Sequence, residues 1–277
     1  MSVAIVTDSA AALPSELVAR YGVTVVPMWL SVDGVPEPEG KRSLERLLAA
    51  SDVTTSAPTP GEFETAIKET RARADDVLVL TIASSMSATH QAALVAGSAV
   101  GGPVRVIDTK TAGGAQALVV LAAAEAAAAG APLEKVEARA REVIERVRLV
   151  ATMPSLDHLV RSGRVPGVAA WAGRRLGINP LFEFDRGQVR ALRPALSRQA
   201  AFERMLALVD RGRVDGARLH VAALHALAVD AADELLDRVR VLEHPTTAFV
   251  AEFGPVMVVH TGPGLAGVAW WWEQPAG

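Results

Sequence analysis

The residues best suited to chemistry are hydroxyls gathered where apolar runs end. The stretch Asp75 to Gly97, DDVLVLTIASSMSATHQAALVAG, sets Ser84, Ser85 and Ser87 between the wholly apolar run Val77 to Ile82 and a segment whose spacing turns helical. In an open α/β sheet, backbone N–H groups and the helix dipole converge on such a turn, so a carboxylate or phosphate is its natural guest. A second cluster, VTTSAPTP from Val53 to Pro60, offers Thr55, Ser56 and Thr59, either as a site loop or as an ordinary surface loop. His260 closes another apolar run and precedes Thr261-Gly262-Pro263-Gly264. Its imidazole serves there as a hydrogen-bonded structural group or as a ligand. Arg164, in LDHLVRSGRV, suits a carboxylate or phosphate partner or a solvated helix end. Asp8-Ser9, after the first apolar run, reads as a helix cap or a ligand contact. Ser84 and His260 can in principle pair as nucleophile and base, but no orienting carboxylate is identifiable from the sequence.

Other chemistries are excluded or find no support. Gly262 to Gly267 matches GxGxxG, yet only ten residues follow it. That is too few for the helix, second strand and ribose-binding acid of a dinucleotide site. There is no GxxxxGK[ST] loop and no GxSxG elbow. His90, His158, His220, His225 and His244 show no metal-ligand spacing such as HExxH, so neither a metal nor a cofactor is expected. With a net charge of -3 and scattered basic residues, the chain has no footprint for nucleic acid. It contains no cysteine, which fits a reducing cytoplasm. MSVAIVTDSA lacks a basic region before its apolar run and reads as a first strand, not a signal peptide. The longest apolar tract, Ala115 to Ala129, is interrupted by Glu125 and is too short to span a bilayer. A cytoplasmic protein without a transmembrane segment is therefore expected.

The elements that must position these residues alternate in type over the first half. Strand-like runs are Ser2 to Val6, Val23 to Leu30, Val77 to Ile82 and Val104 to Asp108, with a short hairpin or irregular turn ending the loop Val32 to Glu39. Helical stretches are Pro14 to Gly22, Lys41 to Ala50, Gly61 to Ala74, the segment from Ala88 with Ser87 as its N-cap, Ala115 to Ala129, and Leu133 to Val147. Ala92, Leu94, Val95 and Ala99 are available for packing, and the two prolines of Val53 to Pro60 predict no regular element there. The result is an α/β fold whose N-terminal domain, residues 1–148, carries a mostly parallel, doubly wound sheet. After about Leu149 the pattern changes. Strands are predicted at Val147 to Thr152, Leu181 to Phe184 with Gln188 to Leu192 across an Asp185-Arg186-Gly187 turn, Leu219 to Leu224, Thr247 to Phe253, Val256 to His260 and Val268 to Trp272. In the last of these Trp270-Trp271-Trp272 buries alternate indoles. Residues 149–277 thus read as an α+β domain with a partly antiparallel sheet.

The pieces TDSAAALP, TTSAPTP, IASSMSATHQAA, VIDTKTAGG, LDHLVRSGRV, LGINPLF and HTGPG, in that order over nearly the whole chain, resemble the DegV family of bacterial fatty-acid-binding proteins. The resemblance implies a two-domain protein with one long-chain fatty acid buried in it and its carboxylate near the domain junction. It also implies a partner, a separate ATP-dependent fatty acid kinase that phosphorylates the bound carboxylate for phospholipid synthesis, and transient contact with a membrane. Carried over by motif, the head-group ligands are Thr55, Ser84 and His260, with Arg164 beside them and Ser56, Ser87 and Thr261 as their neighbours. Ala57 stands where the family usually has Gln, Ala88 where it has Gly, His90 where Tyr is common and Asn179 where Lys often precedes the Pro. None of these removes a head-group ligand. A sixteen-carbon tail at about 0.8 kcal/mol per buried methylene supplies roughly 11 to 12 kcal/mol before binding costs. The carboxylate still needs hydrogen-bond donors once it leaves water. The reading is a lipid-binding subunit without a catalytic residue of its own. Its rivals are a small Ser/His hydrolase or acyl transferase built on Ser84 and His260, and a sensor of another anionic amphiphile.

Overall fold

The computed structural model describes residues 2–41, 44–48, 50, 52–165 and 179–275. Side-chain alternation fixes the first sheet. Every residue of β6 (Asp76–Thr81) is buried, Val77 and Val79 in one apolar layer and Leu78 and Leu80 in another. A strand covered on both faces belongs inside a parallel sheet. β6 indeed pairs in parallel with β1 (Val3–Asp8) and β7 (Val104–Asp108), and β1 with β2 (Thr24–Val26), in the order β2-β1-β6-β7. Helices α3 (Pro60–Arg71) and α4 (Thr89–Val100) cover one face through Phe63, Ile67, Ala93 and Ala96. On the other face lie α5 (Gly113–Ala128) and α6 (Leu133–Arg146), so the sheet is doubly wound. α1 (Ser15–Tyr21) starts after Pro14 and stops at Gly22, whose φ of 62° is the left-handed turn a helix end favours.

Among the described residues two further sheets form. β3 (Trp29–Val32), β4 (Val35–Pro38) and β5 (Val53–Ser56) make a small antiparallel sheet, order β4-β3-β5, with α2 (Leu44–Leu48) between the last two. The mixed sheet takes β8 (Arg148–Thr152), β9 (Asn179–Asp185), β10 (Gln188–Ala195), β11 (Arg218–His225), β12 (Thr247–Glu252) and β13 (Ala266–Glu273) in the order β10-β9-β8-β13-β11-β12. Only β11 and β12 pair in parallel there; the other neighbours are antiparallel. Its outer face is covered by α8 (Arg198–Arg211) and α9 (Val229–Leu242), through Phe202, Met205 and Leu235. Its inner face meets α5. A Cβ on Gly114 would stand 3.1 Å from that of Ala222, with Ala251 and Ala269 at 3.6 Å. α5 is buried all round from Gly113 to Ala124, which is why it is built of alanine: small residues let both sheets approach one helix. The layers therefore run helix, sheet, helix, sheet, helix, and the largest apolar cluster is shared by both large sheets.

Several expectations are corrected. The run from Val23 to Leu30 is not one strand; Pro27 and Met28 divide it into β2 and β3, which join different sheets. Val53 to Ser56, expected to be irregular, is edge strand β5, because Pro58 and Pro60 fall beyond it and its own Val and Thr residues are β-branched. Val256 to His260, expected to be a strand, lies in helix α10 (Pro255–Thr261), which Pro255 opens at its first position. An apolar run this short carries no period of its own. Ala88, not Ser87, occupies the N-cap of α4, although Ser87 Oγ still accepts from Thr89 N at 3.3 Å. Leu94, Val95 and Ala99 face solvent, and Thr89, Ala92, Ala93 and Ala96 pack instead. All three tryptophans are buried, because β13 is covered on both faces: Trp270 and Trp272 lie under α8 and α9, and Trp271 stacks on His220 with centroids 4.5 Å apart. The Leu176, Gly177 and Ile178 of LGINPLF lie outside the described residues.

Helix α3 starts on a capping box: Glu62 N donates to Thr59 Oγ1 and Thr59 N to Glu62 Oε2. Replacing Thr59 by alanine is expected to cost about 1 kcal/mol in urea unfolding, with Thr59→Ser close to the parent protein.

Candidate functional site

The carboxyl end of β6, Met28 between β2 and β3, the strand β5 and the helices α7 (Asp157–Ser162) and α10 converge on one recess. Its polar lining is Thr55, Ser56, Ser87, Arg164, His260 and Thr261, and its apolar lining includes Met28, Ile82, Met86, Leu159, Val256 and Met257. β5 sets Thr55 against His260 on α10: Thr55 Oγ1 and His260 Nε2 are 2.7 Å apart, across 205 residues of sequence. Arg164, in the turn after α7, donates from Nη1 to the Met86 carbonyl at 3.0 Å. It thereby ties that turn to the Ser84–Ser87 loop. Thr261 donates back to the Met257 carbonyl, so its hydroxyl oxygen keeps acceptor capacity only.

His260 is held neutral. Burial first, and then the positive charge of Arg164, lower its pKa from 6.5 to about 4. A neutral imidazole with a threonine hydroxyl can donate hydrogen bonds to a carboxylate without burying an isolated cation.

A second cavity adjoins the recess. Met86, Leu159, Met257 and Thr261 line both, and the remaining walls of the second are apolar: Ala112, Leu149, Ala151, Val165, Phe182, Phe184, Val189, Leu224, Phe253 and Leu265. The open cavity volume is about 60 Å³ at the polar end and about 50 Å³ along the apolar end. Both are narrow, and three of their lining residues are methionines, whose unbranched side chains adapt to what they enclose. A more open cleft at the opposite edge of the parallel sheet, around Asp76, Gly102 and Arg105, presents an arginine already paired with Glu134 and Glu137.

The candidate residues are thus brought together with one exception. Thr55, Ser56, Ser87, Arg164, His260 and Thr261 share the recess; Ser84 does not line it. Ser84 is exposed, and its backbone N–H and its Oγ both turn to the carboxylate of Asp108, the hydroxyl at 2.5 Å. Asp108 ends β7 and captures the nearer serine, leaving Ser87 to face the cavity. Ser84 and His260 consequently form no nucleophile and base pair, and among the described residues no carboxylate is hydrogen-bonded to His260. Asp8 acts as a cap, its Oδ1 accepting from Ala10 N at the short turn Ser9–Ala11. Sequence reasoning missed the apolar walls, above all Phe182, Phe184 and Phe253, because alternation marks them only as core. No helix among the described residues is long and apolar enough to cross a membrane.

Fold and recess define a class: layered α/β proteins in which a polar recess adjoins an apolar cavity against the mixed sheet. The chain belongs to the DegV family; the family model described as "Uncharacterised protein, DegV family" matches residues 2–273. It is 35% identical over 273 residues to a DegV domain-containing protein of Streptomyces coelicolor, covering 96% of this chain and 97% of that one. Among solved structures it is similar to a DegV family protein from Thermus thermophilus described for its fatty acid binding, with a TM-score of 0.91, 31% identity and coverage of 98% and 100% of the two chains. A DegV lipid-binding protein from Thermotoga maritima superimposes with a TM-score of 0.89 at 26% identity, both chains covered completely.

Proposed function

We propose that this chain binds one long-chain fatty acid, its tail in the apolar cavity and its carboxylate at Thr55, Ser87 and His260 with Arg164 alongside. The observation that carries this reading is the adjacency of a polar recess and an apolar cavity that share Met86, Leu159, Met257 and Thr261 as walls. An amphiphile fits a polar recess beside an apolar cavity; a small polar substrate would leave the apolar one empty. Fatty acid binding by relatives of the same fold supports it. The acid dissolves its tail by the hydrophobic effect, and hydroxyl and imidazole donors replace the water lost from its head group. The polar end opens toward solvent, which suits presentation of the carboxylate to a separate ATP-dependent kinase in the cytoplasm, with acyl phosphate as product and no bond-making group supplied by this chain.

Native mass spectrometry of the purified protein tests the reading directly: a bound fatty acid is expected, and a protein that neither carries nor takes up one would refute it. Thr55→Val keeps the shape of the side chain and removes its hydroxyl. Losing one charge-assisted hydrogen bond at about 1.5 kcal/mol should weaken binding about 10-fold, measured by displacement of a fluorescent fatty acid. The kinase step is checked by mixing the loaded protein with a fatty acid kinase subunit and ATP and assaying acyl phosphate.

A further inference from the structure

Three residues of the recess are held by their backbone N–H groups rather than by their side chains. Ile82 N donates to Asp8 Oδ2 at 2.8 Å, Met28 N to Ser9 Oγ at 3.0 Å and Val256 N to Glu39 Oε1 at 2.8 Å. The acceptors are themselves connected. Ser9 Oγ donates to Glu39 Oε2, Asp8 precedes Ser9 in the chain, and Asp8 Oδ1 also accepts from Ala10 N and from Gln116 Nε2 of α5. Asp8 is fully buried, and no ion pair to Asp8 or Glu39 occurs among the described residues. Each carboxylate instead accepts from one backbone N–H of the recess wall, Asp8 from Ile82 and Glu39 from Val256. None of the side chains of Asp8, Ser9 and Glu39 lines the recess.

The geometry points to Asp8, Ser9 and Glu39 as a positioning network that sets the wall of the carboxylate end, with Glu39 fixing the helix that carries His260. This rests on the fatty-acid reading of the site. Glu39 follows β4, in the small sheet, and reaches Val256 in the first turn of α10, four residues before His260 and five before Thr261. A Cβ on Gly254 would collide with its carboxylate, so the approach is close and leaves α10 little freedom to shift. β5, which carries Thr55, lies in the same small sheet as β4. The two partners of the 2.7 Å Thr55–His260 contact are therefore held from one side by the sheet and from the other by Glu39. Two uncompensated acids are costly to bury. A device that orders three backbone segments around a ligand gives that burial a purpose, as supporting shells do elsewhere.

Glu39→Ala removes the acceptor for Val256 N, and is expected to lower fatty acid affinity about 10-fold by displacing α10. The diagnostic readout is the His260 ring signal in NMR. Its titration midpoint, about 4 in the parent protein, should move up towards the ordinary imidazole value as the helix loosens and water reaches the ring. Glu39→Gln retains an oxygen for Val256 N and should restore both readouts to within about 3-fold and close to the parent midpoint. Thr59→Ala, which weakens α3 outside the recess, should lower stability while leaving affinity and the His260 signal unmoved. Unchanged affinity together with an unmoved His260 midpoint in Glu39→Ala would overturn the inference. Where that variant fails to fold, Ser9→Ala cuts the same chain of bonds at a smaller side chain and decides by the same readouts. A parent protein that binds no fatty acid would refute the function proposed above, and the His260 midpoint would still judge the network.

Discussion

Ala112→Leu is expected to lower the affinity for a sixteen-carbon acid about 60-fold while leaving the fold intact. Ala112 is 4% exposed, lines the apolar cavity and has an extended backbone, φ -151° and ψ 170°, which leucine adopts without strain. Three added carbons occupy the room of about three methylenes, each contributing about 0.8 kcal/mol on burial, or about 2.4 kcal/mol together. The head-group contacts are untouched. The loss should therefore shrink as the test acid is shortened, since a shorter tail yields the space at less cost. Displacement titrations with acids of decreasing length measure this. An equal loss at every length would mean that leucine has disturbed the carboxylate end, and no loss at all would mean that the cavity does not hold the tail.

The second large effect is on stability against pH. The fold favours neutral His260, whose pKa falls from 6.5 to about 4. Its contribution is whole above pH 6.5 and disappears as the pH falls towards 4, where the unfolded chain takes up a proton that the folded one resists; about 3 kcal/mol is at stake. Asp8 works in the opposite direction. Burial raises it from 3.8 to about 6, against the hydrogen bonds from Ile82, Gln116 and Ala10. The fold favours its protonated form, so stability from this group is lost as the pH rises from about 4 through 6, again by about 3 kcal/mol. The two terms largely cancel between pH 4 and 6. His260→Gln uncovers the Asp8 term: compared with the parent protein, the variant should gain about 3 kcal/mol on going from pH 7 to pH 4. Urea unfolding of both proteins at the two pH values checks this, and a difference that does not change with pH would contradict it.

The sequence conveyed local order better than direction. The unbroken apolar run Val77 to Ile82 and the alanine-rich run from Ala115 are enough to place a doubly covered strand and a buried helix, because both patterns arise from burial on opposite sides. Val256 to His260 was misread because five apolar residues satisfy strand and helix alike, and the deciding contacts, Pro255 within the helix and Glu39 from far along the chain, are respectively weak and invisible in a linear reading. Leu94 and Val95 looked like packing residues by hydrophobicity, yet smaller Ala93 and Ala96 take the inward positions because α4 lies close on its sheet. At the site, resemblance to a family grouped Thr55 with His260, a pairing that no spacing rule gives across 205 residues. Between Ser84 and Ser87 the sequence had no means of choosing. Asp108 makes that choice, by drawing one hydroxyl away from the cavity.

The alanine-built helix at the centre has a consequence for how the molecule can be taken apart. It is contributed by the first part of the chain, yet it supplies the lining for sheets on either side. A gene divided near residue 148 would leave one product with a bare helical flank and the other with the inner side of its sheet exposed around Ala222, Ala251 and Ala269. Such fragments should stick to each other or to themselves. The whole chain should melt in a single step, with the apolar cavity surviving only as long as both sheets grip the same rod.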